Sequence, residues 1–124
     1  MNKLEPWYEP SDVVLEKVNF KCEMSREDHG FLCGAIKKVK PKKIVEIGVA
    51  EGGTTGVIMN ALKMLNYPAE FYSVDLCEKY YRDNNLPTGY ETERIKSVIG
   101  YEGHHKFFTG KNYCRVCRCD RKRY

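Results

Sequence analysis

The chemistry legible in this chain rests on two carboxylates and the glycine-rich turn between them. In Glu46-Ile47-Gly48-Val49-Ala50-Glu51-Gly52-Gly53-Thr54-Thr55 an acidic residue precedes the turn, and Asp75 follows 27 residues after Gly48. Glycines at such a turn bend the backbone without a Cβ penalty and let a ligand approach the main chain closely. If a helix follows, its first amides lack intrahelical partners and point into the same space. A carboxylate at Asp75 can accept both hydroxyls of a ribose, and Glu46 aims a second carboxylate at the same crevice. Two acids with no basic residue in the turn argue against a polyphosphate ligand. A P-loop needs Gly-Lys-Ser/Thr, whereas Gly53 is followed by Thr54. A dinucleotide loop reads GxGxxG, whereas this turn has Ala50 and the spacing GxxxGG.

These residues need a strand, a helix and a second strand to position them. Ile44-Val45-Glu46-Ile47-Gly48-Val49 is a short β-branched run whose near-continuous apolar character predicts a parallel strand buried on both faces. From Thr54, the spacing of Val57, Ile58, Ala61, Leu62 and Leu65 predicts a helix ended by Asn66 and Pro68. Glu70 to Leu76 is rich in aromatic and branched residues and predicts the second strand, completing a βαβ unit. Upstream, Ser25-Arg26-Glu27-Asp28 has capping-box form. Behind it, Phe31, Leu32, Ala35, Ile36 and Val39 mark a helix face that Pro41 stops. Ser11 and Asp12 can cap an earlier short helix carrying Val14, Leu15 and Val18. Residues 77–90 read as a loop, residues 91–99 as a short helix and residues 105–109 as a third strand.

VEIGVAEGGTT followed by FYSVDL resembles the first two motifs of class I S-adenosylmethionine-dependent methyltransferases. The preceding MSREDHGFLCGAIKKVKPKK resembles the helix leading into that strand in bacterial small-molecule O-methyltransferases, so the likeness covers roughly residues 24–110. It implies a Rossmann-like three-layer α/β fold with S-adenosylmethionine as cofactor and a small molecule as methyl acceptor. Carried onto this sequence, it places Glu46 near the methionine amino group. Gly48, Gly52 and Gly53 present backbone to the methionine part, and Thr54 and Thr55 open the helix beside it. Asp75 holds the ribose hydroxyls, and Leu76 packs near the adenine. A complete sheet of that family has seven strands, and this sequence offers three, so the expectation is an N-terminal half, truncated after the third strand. The acidic residue of the family's fourth strand has no counterpart here, and no catalytic residue or metal ligand is assigned.

Residues 1–110 therefore read as a cofactor-binding half-domain and residues 111–124 as a tail outside its core. The tail carries Lys111, Arg115, Arg118, Arg121, Lys122 and Arg123 against Asp120, more than the whole formal charge of +4. The body is thus near neutral and makes no case for nucleic acid. Cys114, Cys117 and Cys119 have ligand-like spacing but lack a second paired knuckle. A zinc- or RNA-binding module built on this tail is one alternative function; another nucleotide-dependent enzyme, such as an NAD-dependent dehydrogenase, is a second. Cys22, Cys33 and Cys77 read as free buried thiols. His29 reads as solvated, and His104 and His105 have no acidic neighbour in sequence. Trp7 reads as packing on the core. With 124 residues there is room for one domain. Uncharged stretches of about ten residues are too short for a membrane span, and the N-terminus has no signal-like apolar region, so a cytoplasmic protein is expected. Three strands alone leave an open edge, which predicts self-association.

Overall fold

The computed structural model describes residues 4–7 and 22–110. The expected capped helix near Ser11, and the tail with Cys114, Cys117 and Cys119, lie outside the described residues. Helix α1 spans Arg26–Val39; Ser25 caps it, its hydroxyl accepting from the Asp28 amide at 3.2 Å. Glu27 and Asp28 in its first turn and Lys37 and Lys38 in its last oppose the helix dipole. Lys40 closes it in a left-handed conformation just before Pro41. Its buried residues are Gly30, Cys33, Gly34 and Ile36, while Phe31 and Val39 are exposed, so the apolar face read from spacing is rotated. The reason is that residues 4–7 cross the helix there. The Trp7 amide bonds the Gly30 carbonyl at 3.1 Å, and a Cβ on Gly34 would lie 1.9 Å from the Glu5 carbonyl oxygen. Trp7 packs against the core, as expected, with Lys37 Nζ 5.0 Å from its ring centre.

Strand β1 (Lys43–Ile47), helix α2 (Gly53–Leu65) and strand β2 (Glu70–Asp75) form the βαβ unit, with β1 and β2 parallel from Lys43↔Glu70 to Ile47↔Val74. Strands β3 (Lys79–Tyr80) and β4 (Asp83–Pro87) pair antiparallel where the sequence reads as loop. Helix α3 (Thr92–Ile99) and strand β5 (Lys106–Thr109) follow, and β5 joins β2 in parallel to give the order β1-β2-β5. This is a mixed α/β, partial Rossmann-like arrangement.

One core joins the helices to the sheet: Ile36 from α1, Val57, Met59 and Leu62 from α2, Ile95 and Ile99 from α3, and Phe71 from β2. Along β1, Glu46 is buried, whereas Val45 is 56% and Ile47 76% exposed. The expectation that this strand is buried on both faces therefore fails for the described residues. The three helices contribute to one core on one side of the sheet, and period-two alternation turns Val45 and Ile47 away from it. No described helix is long and apolar enough to cross a membrane.

Candidate functional site

Strand β1 ends at Ile47, and the chain turns immediately. Gly48 has φ of +85° and its amide donates to the Val74 carbonyl at 2.9 Å, tying the turn to β2. A Cβ built on Gly48 would meet nothing within 4 Å, so the backbone here faces open space. Ala50 also adopts a left-handed conformation, with φ of +52°. For a residue with a Cβ that costs about 1–2 kcal/mol. Asp75 offsets that cost: its Oδ2 accepts from the amides of Val49 at 2.7 Å and Ala50 at 3.3 Å. Its Oδ1 accepts from the Cys77 amide at 2.9 Å.

The turn walls a crevice of about 240 Å³ that includes Glu46, Gly48, Gly53 and Thr54, together with Glu23 and Glu51. Four of the eight residues singled out in the sequence thus meet at one surface. The others stand elsewhere. Gly52 packs behind the turn, where a Cβ would lie 2.2 Å from Thr92 Oγ1, and its φ is +94°. Thr55 is fully buried and its hydroxyl donates to Glu46 Oε1 at 2.6 Å. Asp75 and the partly exposed Leu76 lie at the end of β2 and are not part of this crevice wall.

Glu46 Oε1 also accepts from Ser73 Oγ at 2.8 Å, and Ser73 Oγ lies 2.9 Å from His105 Nε2. A hydroxyl that donates to the carboxylate can only accept from the imidazole, so Nε2 carries the proton. Burial pushes the Glu46 carboxyl up, partly countered by these two hydroxyls and reinforced by the Asp75 charge. Burial, together with Lys96 and His104, pushes His105 down to about 4, so it is neutral in this network. His104 Nδ1 accepts from the Phe71 amide at 3.0 Å. The two histidines are therefore part of the core's polar bonding, although no acid adjoins them in sequence.

His29 is not solvated as expected. Its Nε2 lies 3.2 Å from Thr54 Oγ1 and 3.3 Å from Cys22 Sγ, at the mouth of α2. Of the described thiols, none is in a disulfide, as expected, but only Cys33 is buried; Cys22 is half-buried and Cys77 exposed. Spacing could not reveal Cys22, Glu23 and Met24 as part of the crevice wall, since they precede a helix and carry no motif. Glu51 could have been noticed, as an acid inside a glycine turn.

No family model matches the sequence, and no curated protein does. Several solved structures resemble the fold, two methyltransferases among them. One is the methyltransferase PaMTH1 of Podospora anserina, solved with S-adenosylhomocysteine bound (TM-score 0.60, 15% identity, covering 90% of this chain and 45% of that one). Another is a candidate O-methyltransferase from Klebsiella pneumoniae (TM-score 0.55, 15% identity, 90% and 47%). The chain spans about half the length of either. Over the described residues, it has part of the fold of class I S-adenosylmethionine-dependent methyltransferases.

Proposed function

We propose that the crevice binds S-adenosylmethionine and that the chain is the cofactor-binding portion of a methyltransferase acting on a small molecule. The observation that carries this is the turn itself. Between two parallel strands, it offers open main chain at Gly48, the Glu46 carboxylate in its wall, and Asp75 clamping it from the next strand. The residues present fit the group. S-Adenosylmethionine brings an ammonium, a sulfonium and ribose hydroxyls, all seeking acceptors or negative charge. The wall supplies Glu23, Glu46 and Glu51 and contains no Lys, Arg or His. A dinucleotide's pyrophosphate would face these three carboxylates with no Lys or Arg in the wall to offset them, which disfavours NAD.

When bound, the cofactor supplies an electrophilic methyl group, and placement then dominates the rate. This chain's residues provide that placement. Thr55 and Ser73 fix the Glu46 carboxylate toward the ammonium, and Gly48 admits the methionine part. Gly53 and Thr54 open α2 beside it. Asp75 keeps the turn in shape while its remaining lone pairs accept the ribose hydroxyls, with Leu76 toward the adenine. No described residue is assigned to proton removal from the acceptor.

Calorimetric titration of the chain with S-adenosylhomocysteine, and separately with NAD, tests this reading. Saturable binding of the first and at least tenfold weaker binding of the second is the expected result. A folded chain that binds neither, or prefers NAD, overturns it.

A further inference from the structure

Beside the crevice lies a larger cavity of about 760 Å³, and Cys22, Glu23 and Glu51 form the wall between the two. Its other polar and aromatic residues are Tyr80, Arg82, Asp83 and Tyr90. The β3–β4 pair and the start of α3 bring these against the turn. The Gly89 amide donates to the Ala50 carbonyl at 2.7 Å, and the Glu91 amide to that of Glu51 at 2.8 Å.

Glu51 is the unusual member. It is only 3% exposed, and its Oε2 has no hydrogen-bond partner among the described residues. A buried acceptor without a donor is costly, and in native proteins it marks a partner not yet accounted for. The charge around it is unbalanced as well. Glu23 pairs with Arg82 at 3.0 Å, but Glu51 and Asp83 have no ion pair among the described residues. Tyr80 and Tyr90 stand with ring centres 5.4 Å apart and planes tilted by 57°, and tyrosine faces attract cations. Burial, then the Glu51 charge and its hydrogen bond, pushes the Tyr80 phenol up to about 12. Tyr80 therefore stays a neutral donor to that carboxylate at physiological pH. A polar hydrogen would satisfy Glu51, and a partner that also carries positive charge and lies against the aromatic rings fits the rest of the wall. Among the described residues no three His, Cys, Asp or Glu side chains converge as metal ligands do, which favours an organic cation. The volume falls within the range of small-molecule sites.

We propose that this cavity takes a small organic ammonium ion, held by the Glu51 carboxylate and the Tyr80 and Tyr90 rings, as the recognition handle of the molecule that receives the methyl group. Its identity as the acceptor rests on the methyltransferase reading above, whereas the ammonium site stands on the cavity alone.

Benzylamine, benzyl alcohol and benzoate share a ring and differ in charge. Each is titrated into the isotope-labelled full chain, with and without S-adenosylhomocysteine, and followed by amide chemical shifts. Benzylamine is expected to saturate and to shift Glu51, Tyr80 and Tyr90, with benzyl alcohol at least tenfold weaker and benzoate inert. Glu51→Gln is expected to weaken benzylamine at least tenfold. Tyr90→Leu leaves the carboxylate in place and is expected to weaken it severalfold, which keeps the test decisive if the buried Glu51 variant unfolds. Equal affinity for amine and alcohol, shifts confined elsewhere, or no binding of benzylamine overturns the inference. S-Adenosylhomocysteine binding without benzylamine binding removes the cavity proposal alone, and the converse removes the methyl-transfer reading alone.

Discussion

Asp75 Oδ2 lies 2.7 Å from the amide nitrogen of Val49, so the end of β2 holds the turn that leaves β1. The carboxylate proposed for the cofactor ribose therefore also shapes the surface against which the cofactor would lie. Removing it has two separable effects. Asp75→Ala should abolish S-adenosylhomocysteine binding and lower stability by about 1–3 kcal/mol, since three amides lose their acceptor. Asp75→Asn keeps one acceptor oxygen and should recover part of the stability while still binding at least tenfold more weakly. Calorimetry and urea unfolding measured on the same samples distinguish the two effects. Wild-type stability in both variants would show that the turn does not depend on Asp75.

The glycines of the turn should respond differently to alanine. Gly52→Ala puts a Cβ against Thr92 Oγ1 at a positive φ. A loss of about 2–5 kcal/mol in urea unfolding is expected. Gly48→Ala meets no neighbour, so only the left-handed backbone cost of about 1–2 kcal/mol applies. Its main effect should be on S-adenosylhomocysteine affinity, because the new methyl occupies the open space.

Ser73 links Glu46 to His105; Glu46 Oε1 keeps its bond from Thr55, whereas His105 Nε2 bonds only Ser73 among the described residues. Ser73→Ala should lower stability by about 1–3 kcal/mol, because it leaves buried polar groups short of a partner. Ser73→Thr, which keeps the hydroxyl, should lose less. A loss as large in Thr as in Ala would point to packing and not to the hydroxyl.

Stability should depend on pH through the same network. The unfolded chain binds a proton at His105 near the ordinary value of 6.5, whereas the folded chain does so only near 4. That contribution is present above pH 6.5 and is lost as pH falls toward 4. Glu46 is shifted upward, so its contribution is present below its ordinary 4.5 and is lost as pH rises through the folded value. The two trends oppose each other. His105→Gln, which can still donate to Ser73, should therefore reduce or reverse the acid loss between pH 6.5 and 4. Urea midpoints at several pH values check this, and a slope identical to the wild type would rule out His105 as its source.

Val45 and Ile47 leave an apolar strip on the sheet face opposite the core, on edge strand β1. Concentration-dependent association is expected in sedimentation velocity, and Val45→Lys should suppress it. A wild-type chain that stays monomeric up to about 100 µM would count against this.

The βαβ unit was legible because its signals agree: a β-branched run, glycines where positive φ is required, and a 3.6-residue apolar period. The β3–β4 pair was not, since Asp83-Asn84-Asn85-Leu86-Pro87 has turn chemistry and is held as a strand by tertiary pairing. Continuous hydrophobicity in β1 showed which side chains favour burial but not what lies over them. The acids of the candidate site were half legible. Glu46 and Asp75 stand in a recognisable order, whereas Glu23 and the His29–Thr54 contact come from α1 folding against α2, which no local pattern encodes.

The amides of Gly89 and Glu91 clasp the carbonyls of Ala50 and Glu51, so the floor of one cavity is the ceiling of the other. A shared partition is a route for coupling the two occupancies, and any such coupling is reciprocal. Whatever factor S-adenosylhomocysteine applies to amine affinity, the amine must return to S-adenosylhomocysteine. A ratio of one would mean a rigid wall that merely separates two compartments. Any other ratio would mean that the turn carries news of one guest to the other.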